Sequence, residues 1–447
     1  MSQNPLQVKV QAFADMQILQ NASLSIHVLD LDQNKTVAYY DENRSLSPAS
    51  SVKVITTAVA LDQLGTTFRY KTNLAHSGNI ENGVLKGNLY LIGQGDPSLG
   101  SDQIQGGLNF EGLFNKLIQE TKKSGINSIE GQVVVDASYF DDNSTPANYP
   151  WIDLGNYYAS GVWGVNINEN FYHLYFKQTP SKNGSPKVLH TIPKIPALSF
   201  QNQLKNGAAN SGDNAYIFGS PYSNQKFIRG SIPLGNDQFK IKGSIPDPPL
   251  LTANTLHQKL IENGIQISQN PKVIYTPEAA KKTILYVHNS PSMLELCIRT
   301  NKKSVNVYGE ALLKTLGKIN HGKGSYKAGI SFIKDYFDSI EIDSKGFYLK
   351  DGSGLSLNNG VTSKQFTKLL YHVYCNKDLY PIFKNTLVEM EDGIFLKSGS
   401  MERVRSYTGY MNTNQEKPLA FSIIVNNYDG PSTPLVKAMK SLIRSLK

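Results

Sequence analysis

Leu24-Ser-Ile-His-Val-Leu-Asp-Leu31 and Thr36-Val-Ala-Tyr-Tyr40 are apolar-rich runs joined by a polar stretch, Asp32-Gln-Asn-Lys35, a pattern that predicts a β-hairpin. Beyond it the period lengthens. Val52, Ile55, Val59 and Leu64 fall mostly three and four residues apart and Gly65 supplies a stop, which predicts a helix over 52–64. The far end mirrors this arrangement: Arg403–Met411 and Leu419–Val425 read as two strands joined by 412–418. A final helix over Leu435–Leu446 places Leu435, Met439, Leu442, Ile443 and Leu446 on one face. Strands and a helix at both termini predict one antiparallel sheet, shared by the two ends and flanked by helices, in an α+β fold.

The middle has another texture. From about 68 to 284, Gly, Asn, Pro and Tyr dominate, as in Gly93-Gln-Gly-Asp-Pro97, Pro146-Ala-Asn-Tyr-Pro150 and Pro246-Asp-Pro-Pro249. Some βαβ character shows at Leu89–Ile92, Phe110–Lys123 and Gly131–Asp136. This segment is read as one or two subdomains inserted into the outer domain. The helical period returns at Met293–Ile298, Tyr308–Leu316, Ile330–Tyr336 and Phe366–Tyr374. Cys297 and Cys375, both beside apolar neighbours, are expected to be inert core thiols.

Composition narrows the class. The 447 residues leave room for about three domains. With 40% hydrophobic and 18% charged residues, a mean hydropathy of −0.32 and no long unbroken apolar run, the chain is a folding, non-spanning one. Two cysteines exclude a disulfide scaffold and a Cys-rich zinc site. The net charge of +9 could favour anionic partners, but the basic residues are scattered, in pairs such as Lys122-Lys123 and Lys302-Lys303. A solvated basic surface is the better reading, and nucleic acid is not an expected partner. Met1-Ser-Gln-Asn carries neither a charged n-region nor an apolar h-region, so no signal peptide is expected there. Either the protein is cytoplasmic or a leader has been removed ahead of it.

Several catalytic patterns fail. There is no His-Glu-x-x-His and no Gly-x-Ser-x-Gly. Gly317-Lys-Ile-Asn-His-Gly322-Lys323 imitates a P-loop, but Gly324 stands where a hydroxyl must reach magnesium, and the segment is expected to be a loop.

Three short patterns survive: Ser50-Ser-Val-Lys53, Ser304-Val-Asn306 and Lys397-Ser-Gly399. Each also recurs elsewhere, at Ser223–Lys226, Ser356–Asn358 and Lys123–Gly125, so context has to decide. Ser50 opens the predicted helix, where residues three apart share a face, so the Lys53 amine can reach the Ser50 hydroxyl. There the Ser50 N–H is among the unpaired donors of a helix start. The plain alternative is an N-cap serine. Ser223 lies in a Gly/Pro/Asn-rich stretch where the spacing guarantees nothing. Lys397 precedes a strand pair, and Gly399 is expected to let a substrate backbone approach closely; the alternative is an ordinary edge-strand lysine. Lys123–Gly125 ends a helix, where glycine is the usual cap. Ser304 sits just before a helix and is favoured over Ser356, which belongs to a tight turn; its alternative role is a helix cap.

The set resembles the Ser-x-x-Lys, Ser-x-Asn and Lys-Thr-Gly pattern of penicillin-binding proteins and serine β-lactamases. Within that group the chain is similar to the D-alanyl-D-alanine carboxypeptidase/endopeptidase family of the penicillin-binding protein 4 type, the S13 peptidases. The matching stretches are Pro48–Lys53 with Leu64-Gly65, Gly95-Asp-Pro-Ser-Leu99, Val133-Val-Val-Asp136, Ser244-Ile-Pro-Asp-Pro248, His288-Asn-Ser-Pro291, Asn301–Asn306 and Asp351-Gly-Ser-Gly-Leu-Ser356. They run over nearly the whole chain. The resemblance implies a transpeptidase/β-lactamase-like domain at 1–67 and 285–447, interrupted by a nested insertion of two smaller domains at 68–284, the inner one near 93–165.

It further implies a serine DD-peptidase of the periplasm or cell envelope, acting on peptidoglycan stem peptides, acylated by β-lactams, and using no metal or cofactor. Peripheral attachment to membrane or cell wall is compatible with that setting. Ser50 would be the nucleophile, with Lys53 its base and Lys397 the cation that lowers the amine's proton affinity and attracts the substrate carboxylate. Ser304 would relay a proton and Asn306 hold the peptide. The N–H groups of Ser50 and Ser400 would form the oxyanion hole, with Ser398, Gly399 and Ser400 along the substrate and Asp153 and Tyr158 contributed by the insertion. Ser398 replaces the usual Thr, which keeps the hydroxyl. Leu357 stands where some members carry an Arg, which puts the usual recognition of a diamino-acid carboxylate in question. The alternatives are a serine β-lactamase, for which the Glu-x-x-Leu-Asn motif is missing, and a non-catalytic peptidoglycan-binding protein.

Overall fold

Six strands tie the two ends of the chain into one antiparallel sheet in the computed structural model, which describes residues 4–391 and 393–447. Their order is Val388–Glu391, Ile394–Met401, Val404–Asn412, Pro418–Asn426, Ser23–Asp30 and Lys35–Tyr40. Ser23–Asp30 pairs with Pro418–Asn426 in unbroken register, Ile26 facing Ile423 and Val28 facing Phe421. Seven of its eight residues are buried, because helices cover both faces of the sheet. On one face, Pro5–Ala14 and Ser432–Ser445 bring Val10, Phe13, Leu435, Met439 and Ile443 onto Ile26, Val28 and Ile423. The other face carries Ser363–Cys375 and, deeper, the helix Val52–Leu64.

That last helix is buried on every side from Val52 to Leu61, where the sequence pattern had predicted one apolar face. It is enclosed by the helices Met293–Lys303, Asn306–His321 and Leu379–Thr386. Its polar residues are satisfied: the Thr56 hydroxyl donates to the Gly352 carbonyl at 3.0 Å, and Asn301 Nδ2 donates to the Thr57 hydroxyl at 3.0 Å.

Two sequence expectations change here. Gly317–His321 is not a loop but the last turn and more of the helix Asn306–His321. Gly317 serves a helix crossing instead of a break: a Cβ there would lie 2.5 Å from the Gly329 amide of the helix Tyr326–Ser339. Cys297 is buried, but Cys375 is exposed, because it ends its helix beyond the apolar stripe Phe366, Leu369, Leu370 and Val373.

The chain divides into two compact units. One takes in the chain through Phe68, Ser292–Gly322 and Tyr326–Lys447; the other is Arg69–Pro291 with Lys323–Ser325. In the second, a five-stranded sheet runs Lys272–Ile274, Val133–Asp136, Leu89–Gly93, Lys71–His76 and Thr283–Asn289. Its parallel pair Leu89–Gly93 and Val133–Asp136 is joined through the helix Phe110–Lys123, the βαβ element legible in the sequence. Thr283–Asn289 pairs with Lys71–His76 and therefore lies in this unit, although it straddles the expected limit at 284. Strand pairing also draws a self-contained set over 171–244, with Phe171–Lys177 between Lys187–Ile192 and Gln238–Ser244. Val133–Asp136, inside the expected inner piece 93–165, instead pairs with strands on both sides of it in sequence.

Candidate active site

The turn that carries Ser50 is fastened to the sheet from below. Asn426, at the end of a central strand, exchanges two hydrogen bonds of 2.9 Å with the backbone of Ser47. Ser406 on the next strand donates to the Pro48 carbonyl at 2.6 Å, and its hydroxyl meets that of Ser51 at 2.8 Å. Ala49 takes φ +46°, a left-handed conformation costly for a residue with a Cβ. The chain then closes a short 3₁₀ turn, Ala49–Ser51, and enters the α-helix at Val52. Ser50 is half-buried at its mouth, and Lys53, one turn on, is fully buried.

Lys53 Nζ lies 3.0 Å from Ser50 Oγ, and donates to Asn306 Oδ1 at 2.7 Å and to the Ser353 carbonyl at 2.7 Å. A neutral amine has two N–H donors and one lone pair. With both N–H groups engaged by Asn306 and Ser353, the lone pair is left for the Ser50 hydroxyl. The electrostatics favour that neutral form: burial first, and then the Lys397 charge, hold Lys53 well below the ordinary lysine value, while Glu310 and Asp351 act in the opposite direction.

Lys397 lies on the strand Ile394–Met401, 2% exposed, and its amine donates to the Ser398 carbonyl at 2.7 Å. Burial brings it down to about 8. Along this strand the burial alternates: Lys397 and Gly399 face inward, Ser398 and Ser400 outward. The outer neighbour, Val388–Glu391, pairs only as far as Leu396, so among the described residues no strand covers the outer edge from Lys397 to Met401. Such an edge is a template for an extended peptide. Gly399 has a different task from the one expected of it. A Cβ there would point away from that edge into the Ser50 turn, 2.3 Å from the Pro48 carbonyl and 2.3 Å from Ser406 Oγ. The missing side chain lets the strand pack onto the turn.

Asn306 is the first residue of the helix Asn306–His321. Ser304, two residues earlier, closes the preceding helix in the left-handed conformation, φ +57°, and its hydroxyl bonds to neither Ser50 nor Lys53. The structure thus brings Ser50, Lys53, Asn306 and Lys397 into one electrostatic cluster, and Ser304 adjoins it along the chain, two residues before Asn306. Asp153 and Tyr158 belong to the second unit, where the Tyr158 hydroxyl donates to Asp153 Oδ1 at 2.9 Å and burial raises the carboxyl above its usual range. Leu357 is 52% exposed.

Sequence reasoning missed the third wall. The loop Asp351–Ser356 supplies the Ser353 carbonyl, and the buried Asp351 carboxylate shapes it by accepting from the Gly354 and Ser356 amides at 2.8 and 2.6 Å and from Asn359 Nδ2 at 2.9 Å. Gly354, φ +85°, presses against the Ser50 turn so closely that a Cβ would sit 1.9 Å from the Ala49 carbonyl oxygen. The available signal was the Asp-Gly-Ser-Gly run itself, which the sequence offers as a tight turn and as one of the stretches shared with the family, but not as part of the site. The rival patterns do not assemble. Lys226 Nζ donates to the Ser220 carbonyl, not to Ser223, and the Ser356 hydroxyl accepts from the amide of its own neighbour Asn358.

The profile of the D-Ala-D-Ala carboxypeptidase 3 (S13) family matches residues 6–388. A D-alanyl-D-alanine carboxypeptidase of Actinomadura sp. (strain R39) is 24% identical over 96% of this chain and 82% of its own length. The D-alanyl-D-alanine carboxypeptidase DacB of Haemophilus influenzae is 25% identical over 89% of this chain and 84% of its own. Among solved structures, penicillin-binding protein 4 (dacB) from Haemophilus influenzae superposes with a TM-score of 0.83 at 23% identity, covering 98% of this chain and 99% of that one. With that fold, and with a profile match spanning most of its length, the chain belongs to the D-Ala-D-Ala carboxypeptidase 3 (S13) family of peptidases.

Proposed function

We propose that the protein is a serine DD-peptidase of the bacterial cell envelope that removes terminal D-alanine from peptidoglycan stem peptides, and cleaves their crosslinks, through an acyl-enzyme on Ser50. The observation that carries the reading is the buried Lys53 amine, 3.0 Å from Ser50 Oγ with both of its N–H directions occupied. An unassisted serine hydroxyl is a poor nucleophile at neutral pH. Lys53 takes its proton as Ser50 Oγ bonds to the carbonyl carbon of the penultimate D-alanine. The Ser50 and Ser400 N–H groups stabilise the oxyanion, each worth about 3 kcal/mol. The C–N bond then breaks, and the departing amine receives the proton from Lys53 by way of the Ser304 hydroxyl. In the second half a water gives its proton to Lys53 and attacks the ester carbon. Ser50 leaves, recovers the proton, and the shortened peptide carries the new carboxylate. Lys397, with the hydroxyls of Ser398 and Ser400 along the open strand edge, binds the substrate's terminal carboxylate, and Asn306 holds the peptide as well as the amine.

A labelled penicillin offers the same geometry, a carboxylate beside a strained amide. Incubation is expected to add the mass of the antibiotic to the peptide containing Ser50, and Ser50→Ala is expected to remain unlabelled. An adduct undiminished in that variant, or none on the wild type, removes the proposal. Release of D-alanine from muropeptides, followed by mass spectrometry, then separates terminal trimming from crosslink cleavage.

The two lysines also give the reaction a pH profile. Lys397 loses its positive charge as pH rises through about 8. Above that value its attraction for the carboxylate is gone, and so is its push against the Lys53 proton. The acylation rate is therefore expected to fall on the alkaline side with a midpoint near 8, and Lys397→Arg, whose guanidinium stays charged, is expected to carry that limb to higher pH. A stopped-flow pH series with a fluorescent penicillin measures both; an unmoved limb in Lys397→Arg assigns it to another group.

A further inference from the structure

Glu310 is a buried acid outside the three sequence patterns. It is 1% exposed and lies one helical turn beyond Asn306, on the same face of the helix Asn306–His321. Its Oε2 accepts the Gly352 amide at 2.8 Å. The Gly352 carbonyl in turn accepts from Thr56 on the nucleophile helix at 3.0 Å, and the next carbonyl, that of Ser353, accepts from Lys53 at 2.7 Å. Helix and loop touch backbone to backbone here: a Cβ on Gly352 would lie 2.2 Å from the Gly309 carbonyl oxygen. Both acceptors of the Lys53 amine therefore hang from one helix, Asn306 directly and Ser353 through Glu310 and Gly352.

We infer that Glu310 is a positioning residue for Lys53, fixing through the Gly352 amide the carbonyl that orients the amine toward Ser50. The inference deepens the proposed function and rests on Lys53 being the base. Glu310 has a second effect through its charge. The ionisable groups acting on Lys53 are Lys397 from the strand, Glu310 from the helix and Asp351 from the loop, and only the two acids favour the protonated amine. Glu310 thus orients the amine and keeps enough proton affinity in it for the serine proton to transfer.

The two effects separate in two variants. Glu310→Gln keeps an acceptor for the Gly352 amide but removes the charge. Lys53 then sheds its proton at lower pH, and the acid limb of penicillin acylation is expected to move down by about half a pH unit or more. Glu310→Ala removes the acceptor too, and acylation is expected to slow about a hundredfold as the Ser353 carbonyl shifts. A residue that merely fills space would alter the melting temperature and leave acylation alone, so a wild-type acylation rate in Glu310→Ala overturns the inference whatever the melting curve does, and an unmoved acid limb in Glu310→Gln overturns its charge effect. Absence of acylation in the wild type would instead overturn the functional reading, so the two failures are told apart.

Discussion

Lys53→Met is expected to slow the acylation of Ser50 by penicillin about a thousandfold or more, the scale of a general base lost from a serine nucleophile. Methionine approximates the lysine stem in volume and fills the same closed space among residues that are buried from Val52 to Leu61. The amine alone disappears. Asn306 Oδ1 and the Ser353 carbonyl lose a donor that each held at 2.7 Å, and some stability goes with them. Ser50 keeps its hydroxyl but has no group within reach to take the proton. Lys53→Arg is the sharper companion, because it separates charge from basicity. If Lys53 acted only as a positive charge beside the reaction, arginine would preserve much of the rate. If it acts as the base, arginine fails as badly as methionine, since its guanidinium does not deprotonate in proteins. Stopped-flow rates with a fluorescent penicillin, read beside melting temperatures, decide between these. Retention of more than about a tenth of the wild-type rate in Lys53→Arg, against the range expected for general base catalysis, would sink the assignment.

What the sequence made legible were the features that depend on near neighbours. Ser50 and Lys53 share a helix face because three residues make most of a turn, and the helix was readable from its apolar spacing and its terminal glycine. The same spacing at Ser223 and Lys226 produced no pair: Lys226 lies on the strand Gln225–Pro233 and reaches back to Ser220. Local secondary structure, then, carries the chemical meaning of a short pattern. The sheet joining both termini was also legible, because alternation and turn residues mark each strand. What stayed hidden travels through long-range contacts or through backbone atoms. The Ser353 carbonyl comes from a position 300 residues beyond Lys53, and a carbonyl oxygen leaves no trace in residue type. Glu310, one glutamate among the polar positions of a predicted helix, looks like a solvated face until the loop covers it. Gly399 was noticed, but which way its absent Cβ would point depends on the turn Pro48–Ala49 packed beneath the strand. Cys375 misled because neighbouring residue types say nothing about which side of a helix end faces water.

The same long-range packing makes Gly354→Ala the second large effect. The residue holds φ +85°, where a Cβ already costs about 1 kcal/mol or more. Worse, that Cβ would lie 1.9 Å from the Ala49 carbonyl oxygen and 3.0 Å from the Ser50 amide nitrogen. No side chain can swing aside to relieve this, since both partners are backbone, and Ala49 is itself held at φ +46° with its carbonyl facing the intruder. Either the loop retreats, taking the Ser353 carbonyl off the Lys53 amine, or the turn retreats, taking the Ser50 hydroxyl with it. Both routes displace reacting groups by about an ångström, a displacement that costs on the order of a hundredfold in rate. The expected result is acylation slowed about a hundredfold or more, with stability lower by roughly 1–3 kcal/mol. Gly65→Ala is the matched control. It sits at φ +79° at the other end of the nucleophile helix, with no atom within 4 Å of its would-be Cβ, so it carries the conformational strain without the collision. That variant should lose about 1 kcal/mol or more of its stability from strain alone yet acylate at the wild-type rate. Equal rates in the two glycine variants would mean that the Ser50 turn and the Asp351–Ser356 loop do not depend on this contact for their alignment, and that the loop is not a wall of the site.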